Sequence, residues 1–271
     1  MKNYLEHSKR DVDSQCKNMG LMQVRHFHFP KIDSTNTWAK LNLERWSVEG
    51  MTLVTASEQT QGRGRFNRSW VSPKDRNIYA SFCIFLNELR QDDGQIPQLL
   101  AFSAMQVLAS YGIISTIKWP NDLLVEGKKI AGILCETTRY ENKTGIICGI
   151  GLNVNMTSEE ISGIDQPACS MFIAKDHLFS VEEVTERLIL TLVENWQVFA
   201  CQTFHPFFNK FRNCSHYQTG DEIYVVDGLK RFAGKFMQLN EDGSMSILLP
   251  NEEIKICSSG EIWEKNRPFY I

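Results

Sequence analysis

The hydrophobic positions of this chain alternate, recur every three or four residues, or run together, and each habit predicts a different element. Val24 to Phe29, VRHFHF, alternates as a strand does. Asp33-Ser34-Thr35-Asn36 then supplies cap residues for a helix with Trp38 and Leu41 on one face and Trp46 a further candidate for it. MTLVTAS, 51–57, reads as a second strand, and SEQTQGRGRFNRSW after it has neither period and is expected to be a loop of about a dozen residues. Ile78–Leu86 reads as a buried strand, Gln95–Tyr111 as a helix turning Leu99, Phe102, Val107 and Leu108 to a core, and Thr116–Trp119 as a strand. Two further strands, Asp122–Val125 and Lys129–Thr138, flank a tight Glu126-Gly127-Lys128 turn, and a third covers Gly145–Val154. A mixed sheet with helices on it follows.

Ser180-Val181-Glu182-Glu183 forms a capping box, and Val184, Leu188, Leu192, Trp196 and Phe199 after it repeat with helical spacing. Phe204, Phe207, Phe208 and Phe211 mark another helix ending near Asn213. From Gly220 the texture changes to short strands, DEIYVV, RFAGKFMQL, SMSILL and EIKICS, with Asp227-Gly228 and Asp242-Gly243 as turns. A domain boundary near Ser215 is therefore expected, with 24–214 as one domain, 215–271 as a small β-barrel and 1–23 as a mobile tail.

Composition narrows the function classes. The chain has 271 residues, 42% of them hydrophobic, which is ample for a core and excludes wholesale disorder. A net charge of -3 gives no global field for nucleic acid or an anionic membrane, so any basic function must be local. The eight cysteines, Cys16, Cys83, Cys135, Cys148, Cys169, Cys201, Cys214 and Cys257, include no pair at metal-site spacing; they read as small buried hydrophobes of a reducing, cytoplasmic compartment. No apolar run reaches the roughly 18 residues of a membrane span, and the polar leader lacks the apolar region of a secretory signal.

Three separated stretches carry candidate chemistry. In Gln61-Gly62-Arg63-Gly64-Arg65-Phe66-Asn67-Arg68 two glycines let backbone approach a ligand while three guanidiniums gather beside it, which suits a phosphate ester; a solvated basic loop explains the same residues equally well. In KWPNDLLVEGKKIAGIL, Lys118 and Trp119 end a strand, Pro120 blocks it and Asn121-Asp122 turns the chain, with Lys129 and Gly132 on the next strand. In GIGLNVN, Gly149 and Gly151 empty one face of a strand and Asn153 follows on that face; close packing under a helix is the commoner reason for such glycines.

STN at Ser34 to Asn36, EQTQGRGRFNRSW at Glu58 to Trp70, KWPNDL with the later Lys-Ile-Ala-Gly at Lys118 to Gly132, and GIGLNVN at Gly149 to Asn155 resemble, in order and spacing, the motifs of biotin protein ligases. The resemblance runs from about Val24 to Ile271, and GRGR paired with KWPND is its most specific part. It implies an α+β fold: a class II synthetase-like catalytic domain, a mixed sheet with flanking helices, followed by an SH3-like barrel. It also implies a reaction in which biotin and ATP, with Mg²⁺, give biotinyl-5'-AMP and pyrophosphate, after which a lysine of a biotin carboxyl carrier protein is acylated. By that resemblance Arg65, Lys118 and Lys129 are catalytic. Biotin would be held by Ser34, Thr35, Asn36, Gln59, Gly62, Arg63, Lys129, Gly132, Gly149 and Gly151, and the nucleotide by Arg63, Arg65, Arg68, Trp70, Lys118, Asn121 and Asn153. The sequence shows no dedicated metal cage. The loop is expected to be mobile without ligand and to close over the hydrolysable adenylate.

Asn67 stands where the family usually has glycine, and it tolerates a left-handed backbone. Only about 23 residues precede the first strand, too few for the helix-turn-helix domain of repressor members, so the expectation is a single-function ligase that binds neither DNA nor membrane, monomeric or homodimeric. A lipoate or octanoate ligase or transferase on the same scaffold is the alternative enzyme, disfavoured by the polar set at Ser34, Thr35 and Gln59. An RNA-binding module using the arginine loop is the alternative of a different class, disfavoured by the acidic balance.

Overall fold

The computed structural model describes residues 22–88 and 90–263; the leader expected at 1–23 therefore lies almost wholly outside the described residues. Seven strands, β1 (Val24–Phe29), β2 (Met51–Ala56), β3 (Ile78–Leu86), β4 (Thr116–Lys118), β5 (Asp122–Val125), β6 (Lys128–Tyr140) and β7 (Lys143–Leu152), form one sheet in the order β1-β2-β3-β7-β6-β5-β4. Only β1 and β2 run parallel. The β5–β6 turn is one residue shorter than the Glu126-Gly127-Lys128 turn expected, since Lys128 already belongs to β6; Glu126 (φ 51°) and Gly127 (φ 76°) are both left-handed.

Alternation along the central strands divides the sheet into two unlike faces. Ala80, Phe82 and Ile84 of β3, with Ile146, Cys148 and Ile150 of β7, belong to a core that also contains α2 (Ile96–Ser110), α3 (Val181–Gln202) and α4 (His205–Asn213). The α3 apolar stripe, Val184, Leu188, Leu192, Trp196 and Phe199, is buried as its spacing requires, and Ser180 caps the helix by accepting the Glu183 amide at 3.2 Å. The opposite face carries Tyr79, Ser81, Gly132, Gly149 and Gly151, and is only partly covered.

A short helix, α1 (Thr35–Leu41), covers one end of that second face through Ala39, in a cluster with Val54, Cys83, Ile147 and Trp46. Here the helix differs from expectation. Leu41 is 74% exposed because α1 ends on it, and Trp46 reaches the cluster from beyond a 3-10 turn at Leu43–Arg45, its indole N–H donating to the Ala39 carbonyl at 3.0 Å.

Beyond α4 the chain runs beside β4, with Ile117 donating to Cys214 O at 2.7 Å and His216 to Ile117 O at 2.8 Å. It then forms a five-stranded antiparallel sheet from β8 (Glu222–Asp227), β9 (Lys230–Leu239), β10 (Met245–Leu248), β11 (Ile254–Cys257) and β12 (Glu261–Trp263), ordered β11-β10-β9-β8-β12. Among the described residues no pairing of β11 with β12 closes this ladder into a ring. β12 has no counterpart among the expected strands: three residues are too few to carry a readable period, and pairing with Tyr224 to Val226 of β8 defines it. The second sheet shares its core with the first, since Ile223, Val225, Phe236 and Ile247 join the same cluster as α2. Polar contacts reinforce the seam: Gln98 and Trp119 both donate to Gly243 O, at 2.8 and 3.0 Å.

Phe199 is fully buried between α3 and its neighbours, so Phe199→Ala should lower unfolding free energy by about 3–5 kcal/mol, read from denaturant midpoints at unchanged slope.

Candidate active site

The partly covered face is bare because of its glycines, and the space above them is filled by side chains from other elements. A Cβ at Gly149 would overlap the Asn36 amide, one at Gly151 would overlap the Trp70 indole, and one at Gly132 would fall 2.9 Å from Lys129 Cε and 3.0 Å from Trp70. Both readings of the glycines therefore hold in part. Gly149 lies beneath a helix residue, whereas Gly132 and Gly151 make a flat track that the Trp70 ring occupies. Its Nε1–H is buried with no hydrogen-bond partner, an arrangement that costs free energy while it lasts.

The arginine segment is a small hairpin rather than open loop. Trp70 donates to Gly62 O and Gly64 to Arg68 O, at 2.8 and 2.7 Å, with a 3-10 turn at Arg65–Asn67 as its tip. Phe66 carries the left-handed backbone there, at φ 54° and ψ 39°. Gly62 is needed for close approach, since a Cβ would sit 2.5 Å from Trp70 O and 2.6 Å from Ser72 Oγ. At the base, Thr60 and Gln61 donate to Ile32 O and Asp33 O, which carries Gln59 to the start of α1. The Thr35 amide then donates to Gln59 Oε1 at 2.9 Å. Ser34 holds the N-cap position of α1 without a capping bond from its side chain, contrary to the capping role its sequence position suggests.

One cavity gathers most of the expected residues. Ser34, Thr35, Asn36 and Gln59 line its polar end. Arg63, Arg65, Arg68, Lys118 and Lys129 bring cations to it, and Trp70, Asn121, Gly132, Gly149 and Gly151 complete the match. Two expected residues stand outside. Gly62 is buried in the hairpin base, as above. The other is Asn153: β7 ends at Leu152, and the Asn153 side chain donates to Cys169 O at 3.0 Å and meets Asn77 at 3.4 Å. It braces the loop that carries Cys169.

The site also holds carboxylates the motifs did not assign. Asp122 pairs with Lys129 at 2.8 Å, Glu136 with Arg63 at 3.1 Å, and Glu261, from β12, grips Arg68 through two bonds of 2.6 and 2.7 Å. Arg65 donates to the neighbouring Gly260 O at 2.9 Å, and Arg68 lies 5.4 Å over the Trp263 ring. Burial opposes ionisation of Glu261, but the hydrogen bond and charge of Arg68, with Lys118 and Lys129 beyond, hold its carboxyl below the ordinary range. Burial lowers the Arg65 pKa while Glu261 and Asp122 push it back up. Asp122 stood within a quoted motif; Glu261 sits in a stretch with no signal of its own.

Comparison with known proteins places this geometry in a family. A profile of the Biotin/lipoate A/B protein ligase family matches residues 28–153. Over 235 residues the chain is 30% identical to the "Bifunctional ligase/repressor BirA" of Bacillus spizizenii, spanning 85% of this chain and 71% of that protein. The chain belongs to this ligase family. It is also 27% identical over 233 residues to the "Biotin--[acetyl-CoA-carboxylase] ligase" of Paracoccus denitrificans, covering 81% of this chain and 92% of that one. A solved structure of the biotin protein ligase from Aquifex aeolicus, in complex with biotin and ATP, superimposes with a TM-score of 0.72 at 30% identity, covering 88% of this chain and 97% of the other. The family match contains the arginine hairpin and the glycine track; β12 and Glu261 lie beyond it.

The Glu261–Arg68 pair sets a pH dependence. A depressed carboxyl pKa means its contribution is complete above the ordinary value of 4.5 and is lost as pH falls through the depressed value. Glu261→Gln should therefore lower stability by about 1 kcal/mol at neutral pH, limited by the partial exposure of Arg68, and the gap between the two proteins should close on acidification below about pH 4.5, as followed by thermal melts.

Proposed function

We propose that this chain is an ATP-dependent biotin protein ligase, which activates biotin as biotinyl-5'-AMP and transfers it to a lysine of a biotin carboxyl carrier protein. The carrying observation is the convergence of five cations, a polar pocket and a side-chain-free track in one cavity of a chain from this ligase family. That combination fits a ligand with a polar ring at one end and an acyl phosphate at the other.

In the first step a carboxylate oxygen of biotin attacks the α-phosphorus of ATP, and the bond to pyrophosphate breaks. Two anions must meet, and charge grows on the leaving group; Arg63, Arg65, Arg68, Lys118 and Lys129 offset that repulsion. Lys129, held by Asp122 in this state, would exchange that carboxylate for the substrate's. In the second step the carrier's amine attacks the acyl carbon, the bond to AMP breaks, and an amide forms with loss of a proton. No side chain of the enzyme serves as nucleophile in either step.

Ser34, Thr35 and Gln59 supply the polar end, where a bicyclic urea finds partners and a plain aliphatic chain does not. Mg²⁺ accompanies ATP in this reading. Among the described residues no three His, Cys, Asp or Glu side chains converge as a cage, so the ion would be carried by phosphate oxygens and water. Nor is any helix among them long and apolar enough to cross a membrane.

The test is transfer of label to a purified carrier domain with ATP and either biotin, lipoate or octanoate. Biotinylation with stoichiometric pyrophosphate supports the reading, and acylation by lipoate or octanoate alone would overturn it. Lys129→Ala and Arg65→Ala should each slow pyrophosphate release at least about 10²-fold with an unchanged circular dichroism spectrum. Normal release in Lys129→Ala would remove that lysine from the mechanism. Ligand entry along the glycine track must also displace Trp70, so the hairpin, with its three arginines, should be cut readily by trypsin alone and be protected when biotin and ATP are both present.

A further inference from the structure

We propose that His26 and His28, with Thr55 between them, form an open site for a divalent transition-metal ion of the imidazole-binding class, Zn²⁺, Ni²⁺ or Cu²⁺. The site lies outside the cavity and stands independently of the ligase reading.

The two histidines sit two residues apart on β1, so both side chains leave the strand on one face. β1 is the outer strand of its sheet, which opens that corner to solvent. On the neighbouring strand Leu53 is the direct partner of His26 and Thr55 that of His28. Leu53 belongs to the main core, but the core ends short of this corner: Thr55 stands outside the cluster and both imidazoles are exposed. The buried Thr55 hydroxyl is what draws the rings together. His26 Nε2 lies 2.7 Å from Thr55 Oγ1 and His28 Nδ1 lies 3.0 Å from the same atom, with the ring centres 6.4 Å apart. Arg25 alternates to the other face of β1, where it donates to Arg45 O at 2.9 Å, and so does not oppose a cation beside the histidines.

Hydrogen bonding alone constrains these three atoms. The hydroxyl has one hydrogen, so it can donate to only one ring, and the other ring must be the tautomer that donates to it. A metal ion removes that constraint: each imidazole turns a lone pair inward, and the hydroxyl offers its oxygen with the hydrogen pointing away. The spacing suits such an ion. Ligands about 2.0–2.1 Å from a metal and at right angles stand roughly 3 Å apart, which is the length of the two contacts here. Two nitrogen donors favour borderline ions over Mg²⁺ and Ca²⁺, which take oxygen ligands in larger number. Three donors leave the remaining positions to water, so the site is open, unlike a closed structural zinc cage.

The ion would clamp two strands that both feed the cavity. β1 leads to Ser34 and Thr35 and β2 leads to Gln59, and the two chains meet again at the Ile32–Gln59 bridge.

The experiment is calorimetric titration of the untagged full chain with Ni²⁺ alone, beside His26→Ala, His28→Ala and Thr55→Val. The unmodified chain should bind one ion at this site with a Kd tighter than about 100 µM, because the second imidazole acts at high effective concentration once the first has bound. Each histidine variant should weaken binding at least about tenfold and Thr55→Val at least about threefold. Electron paramagnetic resonance of the Cu²⁺-loaded chain should show coupling to two imidazole nitrogens, reduced to one in either histidine variant. Melting curves confirm that the variants fold, and Ni²⁺ should raise the Tm of the unmodified chain more than that of His26→Ala or His28→Ala. A Kd weaker than about 100 µM for the unmodified chain, or undiminished affinity in any one of the three variants, overturns the proposal.

Discussion

Five cationic side chains in one cavity repel one another, and carboxylates from distant parts of the chain are threaded among them to offset that repulsion. Asp122 comes from β5, Glu136 from the middle of β6 and Glu261 from the second sheet. Each answers a different cation: Lys129, Arg63 and Arg68. Three negative charges against five leave the cavity net positive, poised for an anionic guest. Leaving such cations unpaired would be costly where burial is substantial, whereas an exchangeable partner keeps them charged and ready.

The same economy governs the glycine track. A face without Cβ atoms is hydrated or filled, and here it is filled by Asn36 at Gly149 and by Trp70 at Gly132 and Gly151. The two fillings differ in character. Asn36 is tied into a fully partnered network, while the Trp70 ring carries a buried N–H with no partner. Structure and packing thus distinguish a permanent tenant from a displaceable one, a difference that belongs to energetics before it belongs to function.

Periodicity made the central elements legible because buried strands and an amphipathic helix must display it, as β3, β7 and α3 do. The site was legible where chemistry is concentrated in short motifs: Arg63 to Trp70, Lys118 to Gly132, and Gly149 to Gly151. Readability ended where a residue's role is set by its neighbours in space. Asn153 follows the glycines in the correct phase, yet the strand stops one residue earlier and the side chain turns to Cys169. Leu41 fits the helical stripe but stands at the end of α1, with nothing beyond to cover it. Ser81 is one polar residue inside an apolar strand, and Glu261 one acid in a polar tail; only the fold shows whom they touch.

The grip of β12 on the arginine hairpin joins positions 193 residues apart in the chain. During synthesis on the ribosome, the polar end of the cavity, the lysines and all three arginines emerge well before Glu261 does. A polypeptide that stops short of β12 would thus carry the cationic hairpin with its clasp missing.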